Sequence, residues 1–309
     1  MKRGTLRWAI LGLQTVVVAV VLYFIGRAVV DLWPQIVAIE WTVDPLLLAP
    51  AAAIGLVCQG LLIVGWRLAL RLVGAHISWA GAVESQAVGQ LAKYVPGKVM
   101  TLVGKVYLAR KFGVPEPQAA LAMFVEVGTL TLTGLIVGLA CAVQLVPAPR
   151  LVLIGLLLLA GAAMVLHPSV LPRAINGALR LLRRPTAEFR YQWSAAAPLL
   201  ACYLATWLLW GVGVWLLAGG LGLRAPLAPL MGGNALGWVA GFLSFIFPGG
   251  LGVREYVLAR LLASAAPGVA MSIALVSRAW LLGAEVAWAL GAWLGGLAAH
   301  RRRLGDDGP

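Results

Sequence analysis

Charge is the first thing this chain has little of. Asp, Glu, Lys and Arg together make up 11% of its 309 residues, against roughly 25% in an ordinary soluble domain. Acidic side chains are the scarcer sign: 11 of them stand against 24 Lys and Arg, for a formal net charge of +13. Cys58, Cys141 and Cys202, like His76, His167 and His300, are scattered singly, without CxxC or metal-ligand spacing. No metal site and no cofactor is expected from them; the cysteines read as small core residues. The chain also shows no HExxH, no Walker A loop, no paired-aspartate DDxxD motif and no Ser/His/Asp set. On these grounds it is not expected to be an enzyme.

What is present in quantity is hydrocarbon. Hydrophobic residues account for 61% of the chain, and several runs exceed the ~20 residues needed to cross a bilayer. An all-α integral membrane protein follows. In a soluble protein a charge of +13 would point to nucleic acid; here the cations lie mostly between apolar runs, where topology and anionic head groups account for them and no nucleic-acid partner is expected. The start, MKRGTLRW, resembles the basic end of a signal peptide, but the apolar run behind it reaches Val30 without a small-residue cleavage site and reads as a retained helix. Six full transmembrane helices are expected, at about 8–30, 46–70, 117–143, 150–166, 195–218 and 270–298. Trp and Tyr are read mainly as interfacial anchors.

Two stretches break this pattern. QLAKYVPGKVMTLVGKVYLARK (90–111) and FIFPGGLGVREYVLARLL (245–262) each have an apolar approach, a Pro-Gly break and a helical run bearing cations. Such a break frees backbone groups that lipid cannot satisfy, so it survives only where protein or a polar cavity covers it. The positive-inside rule puts both termini in the cytoplasm, from Lys2, Arg3 and Arg7 at one end and Arg301–Arg303 at the other. If residues 79–111 crossed once, the basic loops at 105–111 and 173–190 would both fall outside, against that rule. Each broken segment (79–111 and 227–263) therefore enters and leaves by one face. Arms of about 15 residues reach about 22 Å, short of a ~30 Å core. Two re-entrant hairpins fit best, and two short tilted spanning pairs give the same sidedness. The hairpins enter from opposite faces, which makes an inverted-topology repeat of 1–145 and 150–300. A basic amphipathic segment at 168–190, with Ile175, Leu179 and Leu182 on one face and Arg173, Arg180 and Arg184 on another, reads as a cytoplasmic helix on anionic lipid.

Behind each break a helix begins, and its free N–H groups and dipole favour an anion. Gly97 and Lys98 stand at the first tip, with Lys105 following and Lys93 on the approach; Gly249, Gly250, Arg254 and Glu255 stand at the second. Cations at the two tips would hold a phosphate between them; for Lys93 and Lys105 the alternative is snorkelling to the interface. Glu84, Glu126, Arg278 and Glu285 lie in otherwise apolar helices and read as cavity or gating residues, or as buried ion pairs. Arg278 and Glu285, seven apart, share a helix face.

YVPGK at 94–98, followed by a glycine and basic residues, and FPGGLGVRE at 247–255 resemble a flippase-like membrane family that includes the membrane half of lysylphosphatidylglycerol synthases. The resemblance extends over almost the whole chain, and FPGGLGVRE is its most specific part. It implies a lipid translocase in a bacterial or archaeal cytoplasmic membrane, moving an anionic or phosphate-bearing head group between leaflets, with Lys98 and Arg254 on the phosphate. The family's soluble aminoacyl-transferase domain is not found before Pro309, so aminoacylation does not carry over. Membrane lipids with phosphate head groups, anionic lipid at the basic loops, and a homo-oligomeric or synthase partner are the expected company. The rival readings are an accessory subunit of a membrane lipid- or glycan-modifying enzyme and a membrane-embedded transferase.

Overall fold

The computed structural model describes residues 30, 33–91, 99–142, 149–165, 167, 169–181, 183, 186, 188–189, 192–244, 252–262 and 267–306. Among them every regular element is helical. In chain order these are α1 (Trp33–Val37), α2 (Pro45–Leu72) and α3 (Trp79–Val83), which runs through a π-helical turn (Glu84–Val88) into α4 (Gly89–Leu91). Then come α5 (Val99–Lys111), α6 (Glu116–Ala142), α7 (Pro149–Val165), α8 (Val170–Leu181), α9 (Ala196–Gly220), α10 (Leu227–Leu243), α11 (Val253–Leu261) and α12 (Pro267–Asp306).

Four described helices are long and apolar enough to cross a membrane: Pro45–Leu72, Glu116–Ala142, Ala196–Gly220 and Pro267–Leu294. They coincide to within a few residues with four of the six expected spans. The first expected span, 8–30, lies outside the described residues except for its last position. The expected span 150–166 is the 17-residue α7, about 25 Å long at 1.5 Å per residue.

Local chemistry sets the helix ends. Asp44 caps α2, its side chain accepting from the Leu46 N–H at 2.9 Å, with Pro45 in the first turn. Ser78 caps α3 in the same way through Gly81 N–H (3.1 Å). Gly74, Gly113 and Gly222 turn the chain after α2, α5 and α9 with φ near +80°, which a residue with a Cβ adopts only under strain.

The centre of the bundle is the antiparallel pair α2 and α9. A Cβ on Gly65 would meet Tyr203, one on Gly213 would meet Ile54, and one on Gly220 would meet Leu48, so numbers rise on one helix as they fall on the other. Small residues at such positions let membrane helices approach closely, where dispersion rather than hydrophobic exclusion holds them. The same device joins the arms of the second broken segment. Gly233 lies against Leu258 and Gly237 against the Arg254 backbone, which makes α10 and α11 an antiparallel pair. In the first, Gly89 lies against the stem of Lys105.

The largest aromatic side chains are not where interfacial anchoring would put them. Trp66, Tyr203, Trp207 and Trp210 are all buried, and Trp207 and Trp210 stack with ring centres 5.4 Å apart. Trp33, Trp41, Trp79, Trp293, Tyr107 and Tyr256 do face outward. The anchor reading therefore holds for part of the set. It fails on α9 because positions 203, 207 and 210 share the helix face that meets α2 and α6. On α8, Leu171 and Ile175 pack on the protein core while Arg173 and Arg180 stay exposed.

Candidate functional site

Among the described residues, two ion-paired clusters interrupt the apolar interior, one beside each broken segment. The first gathers on α2, the π-turn, α5, α6 and α9. Lys105, 2% exposed, forms an ion pair with Glu126, 4% exposed. The other oxygen of the carboxylate, Oε1, accepts from Gln86 Nε2 at 3.2 Å. The Lys105 ammonium also lies over the Trp66 ring, 4.1 Å from its centroid, a contact worth most where water is excluded. Trp66 Nε1 donates to Ser85 Oγ (2.9 Å), and Ser85 Oγ donates back to Gly81 O (2.6 Å). Ser85 and Gln86 sit in the π-helical turn. The extra residue in such a turn re-aims its side chains, and π-turns recur at functional sites.

The second cluster surrounds the start of α11. Gly252, at φ +82°, stands at the N-cap, and its N–H donates to Glu255 Oε2 at 2.7 Å. Glu255 Oε1 accepts from Arg278 Nη1 on α12, also at 2.7 Å. One carboxylate thus ties the helix start to a spanning helix. Arg254, Asn234, Ser277 and Trp210 complete a cleft around this pair. Its free space is about 20 Å³, room for about one water molecule. Two guanidiniums, one carboxylate and the N-terminus of a nine-residue helix meet there, an arrangement suited to an anion.

The residues singled out from the sequence divide accordingly. Arg254, Glu255 and Arg278 come together. Glu255, however, is occupied on both oxygens by protein donors, so its part is to position the helix start and Arg278 rather than to meet an anion. Lys105 neither lies at a tip nor snorkels: it points inward to Glu126, because Gly89 leaves its stem a channel between α4 and α5. Glu84 lines neither the Arg278 cleft nor the Glu285 cleft. It opens the π-helical turn, is about one-third exposed and lies 4.0 Å from the half-exposed Lys111. Arg278 and Glu285 share a face of α12 but serve different places. Glu285 lines a narrow cleft with Gln59, Gln86, Gln90 and Trp288. Lys93, Gly97, Lys98, Gly249 and Gly250 lie outside the described residues.

Three participants were not visible in the sequence as such: Trp66, Ser85 and Tyr203. Each is a common bundle residue, and only their convergence on Lys105 and Glu126 sets them apart. Among the described residues no group of His, Cys, Asp and Glu has metal-binding geometry. Cys58 and Cys202 point their thiols at backbone carbonyls of Thr206 and Leu61, as small core residues do.

No curated protein matches the chain significantly. The family model described as the lysylphosphatidylglycerol synthase TM region matches residues 10–291. That span takes in both broken segments, three of the four long apolar helices and most of the fourth, and the chain belongs to this family of membrane domains.

Proposed function

We propose that the protein is a lipid translocase, carrying a phosphate-bearing head group across the bilayer while the acyl chains remain in lipid. The observation that carries this reading is the cleft at the start of α11, where Arg254 and Arg278 flank a helix N-terminus between helices of an apolar bundle. A phosphate entering hydrocarbon uncompensated pays many kcal/mol, and paired guanidiniums are suited to offset that cost. The family supports a role connected with membrane lipid. Lys98, which the family resemblance puts on the phosphate, is taken as a second cation in this reading, and Glu126 and Glu285 as interior residues that shape the path.

In this reading the broken segments are re-entrant hairpins, two in an inverted repeat, in a cytoplasmic membrane with both chain ends inside. Arms of 17 and 9 residues for α10 and α11, about 25 and 14 Å, suit hairpins better than full spans. The cleft as it stands is too small for a head group, so transport requires α11 to separate from α12, with the Glu255–Arg278 pair as the contact to be broken. The protein acts without covalent chemistry, as a conduit.

The test is leaflet exchange of fluorescent anionic lipids, zwitterionic lipids and a polyprenyl-phosphate sugar in liposomes holding the purified protein. Exchange of one class, reduced at least tenfold in Arg254→Ala and Lys98→Ala with unchanged thermal stability, is the expected result. No exchange of any class, with or without an ion gradient, overturns the reading in favour of an accessory subunit.

A further inference from the structure

A third cleft, much wider than the other two, lies at the end of the bundle where α9 finishes and α2 begins. It is an open groove of about 190 Å³ between Leu47, in the first turn of α2, and Trp215, Leu216 and Gly219, in the last turns of α9, with Leu223 and Arg224 beyond them. None of its lining residues belongs to the cleft at α11. Both helices are long and apolar enough to span, so the groove lies where the chain passes from hydrocarbon to head groups. Local structure makes the opening. A Cβ on Gly219 would meet Leu47 Cδ1 at 3.4 Å, and Gly222, at φ +78°, reverses the chain after α9. The Leu223 N–H then donates back to Ala218 O at 2.8 Å. That turn folds Leu223 inward, to 1% exposure, and leaves Arg224 exposed at the rim.

We infer that this groove holds an anionic phospholipid, with one acyl chain along Leu47, Leu216 and Trp215 and the phosphate on the Arg224 guanidinium. The volume exceeds the ~150 Å³ of a cavity that takes up benzene, so several methylene groups fit. Its walls are leucine and an indole, which offer water few partners and lose dispersion contacts when nothing lies against them. The charge complements the walls. Arg224 takes part in no ion pair among the described residues. The nearby Asp44, whose N–H is bonded to Gly220 O, has its carboxylate committed to the cap of α2. An arginine suits a phosphate here because its donors form a planar fork while its stem covers apolar surface. Trp215, 44% exposed, stands at the level where tryptophan meets both acyl chain and head group. The inference does not rest on translocation: a translocase and an accessory subunit would carry this lipid alike.

The test reads tryptophan fluorescence of the full chain in phosphatidylcholine vesicles, with brominated acyl chains as contact quenchers. A Trp215→Phe protein measured in parallel isolates the signal of this side chain from the other tryptophans. Brominated phosphatidic acid is expected to quench Trp215 at a mole fraction roughly fivefold lower than brominated phosphatidylcholine, the preference that one arginine near the surface gives for anionic lipid. Arg224→Gln is expected to abolish that preference, and Arg224→Lys to keep part of it. Equal quenching by the two lipids in the parent makes the groove ordinary bilayer surface and overturns the inference. A preference that survives Arg224→Gln overturns it too, and so does a Trp215 shielded from both lipids, which would mark a protein neighbour. Should Trp215→Phe disturb the groove, native mass spectrometry of the parent and Arg224→Gln proteins in detergent decides. One phosphatidic acid fewer retained by the variant supports the site, and equal numbers overturn it.

Discussion

The two polar clusters use the same parts, a buried carboxylate and a cation reaching it from another helix, and differ in which of the two sits on the long helix. In the first, the carboxylate belongs to a long spanning helix and the cation, Lys105, to the short α5. In the second the arrangement is reversed: Glu255 belongs to the short α11 and Arg278 to the spanning α12. The surroundings differ too. The first pair is nearly without exposure, while Arg278 retains 23% of its side-chain surface and opens on a cleft with a second guanidinium. A pair closed off from water is a latch whose breaking leaves an unpaired charge. A pair that opens on a cleft is reached by water and can exchange one anionic partner for another.

The comparison is sharpened most by removing the buried cation. Lys105→Ala leaves Glu126 buried with its bond from Gln86 but without its ion-pair partner, and stability is expected to fall by about 3–5 kcal/mol, the range for breaking a buried pair from one side; thermal and denaturant unfolding in detergent measure it. A fall below about 1 kcal/mol would mean that water reaches the pair. Next comes Gly65→Ala, which drives a Cβ into the Tyr203 ring at 2.5 Å. The rigid α2–α9 contact is expected to lose about 1–3 kcal/mol, the usual range for overpacking.

Arg278→Ala is expected to cost less, about 1–2 kcal/mol, because Glu255 keeps its bond to Gly252 and the cleft admits water. Its larger effect falls on lipid exchange, expected to drop at least tenfold in the liposome assay. If Arg278→Ala destabilises as much as Lys105→Ala and leaves exchange intact, the two clusters are both structural. Smallest of all is Glu84→Ala, whose ion-pair partner, Lys111, is 4.0 Å away at the surface. A change within about 0.5 kcal/mol and normal exchange are expected.

Much of the architecture was legible in the residues. Long apolar runs with cations at their ends gave four spans to within a few residues, since a bilayer demands length and hydrophobicity before anything else. The second broken segment was legible in part: a helix was expected behind its Pro-Gly break, and α11 begins at Val253, but the cap that Gly252 and Glu255 make there was not read from the sequence. Burial direction was not legible. Lys105 and Glu84 look alike in sequence, each a lone charge among apolar neighbours, yet one turns inward to an ion pair and the other outward to the surface. The difference comes from where the neighbouring helix lies, which no local pattern contains.

The sequence by itself determined that this chain belongs in a membrane, which segments can cross it, and where the helices must break, because these follow from hydrocarbon thickness and from the backbone chemistry of proline and glycine. The tertiary structure decided which charges meet. Glu126 finds Lys105 and Gln86 on two other elements, and Arg278 reaches Glu255 across a helix gap. Pairing inside a bundle depends on helix rotation and spacing, and those are fixed by glycines such as Gly65, Gly89 and Gly237 pressing against partners far away in the chain.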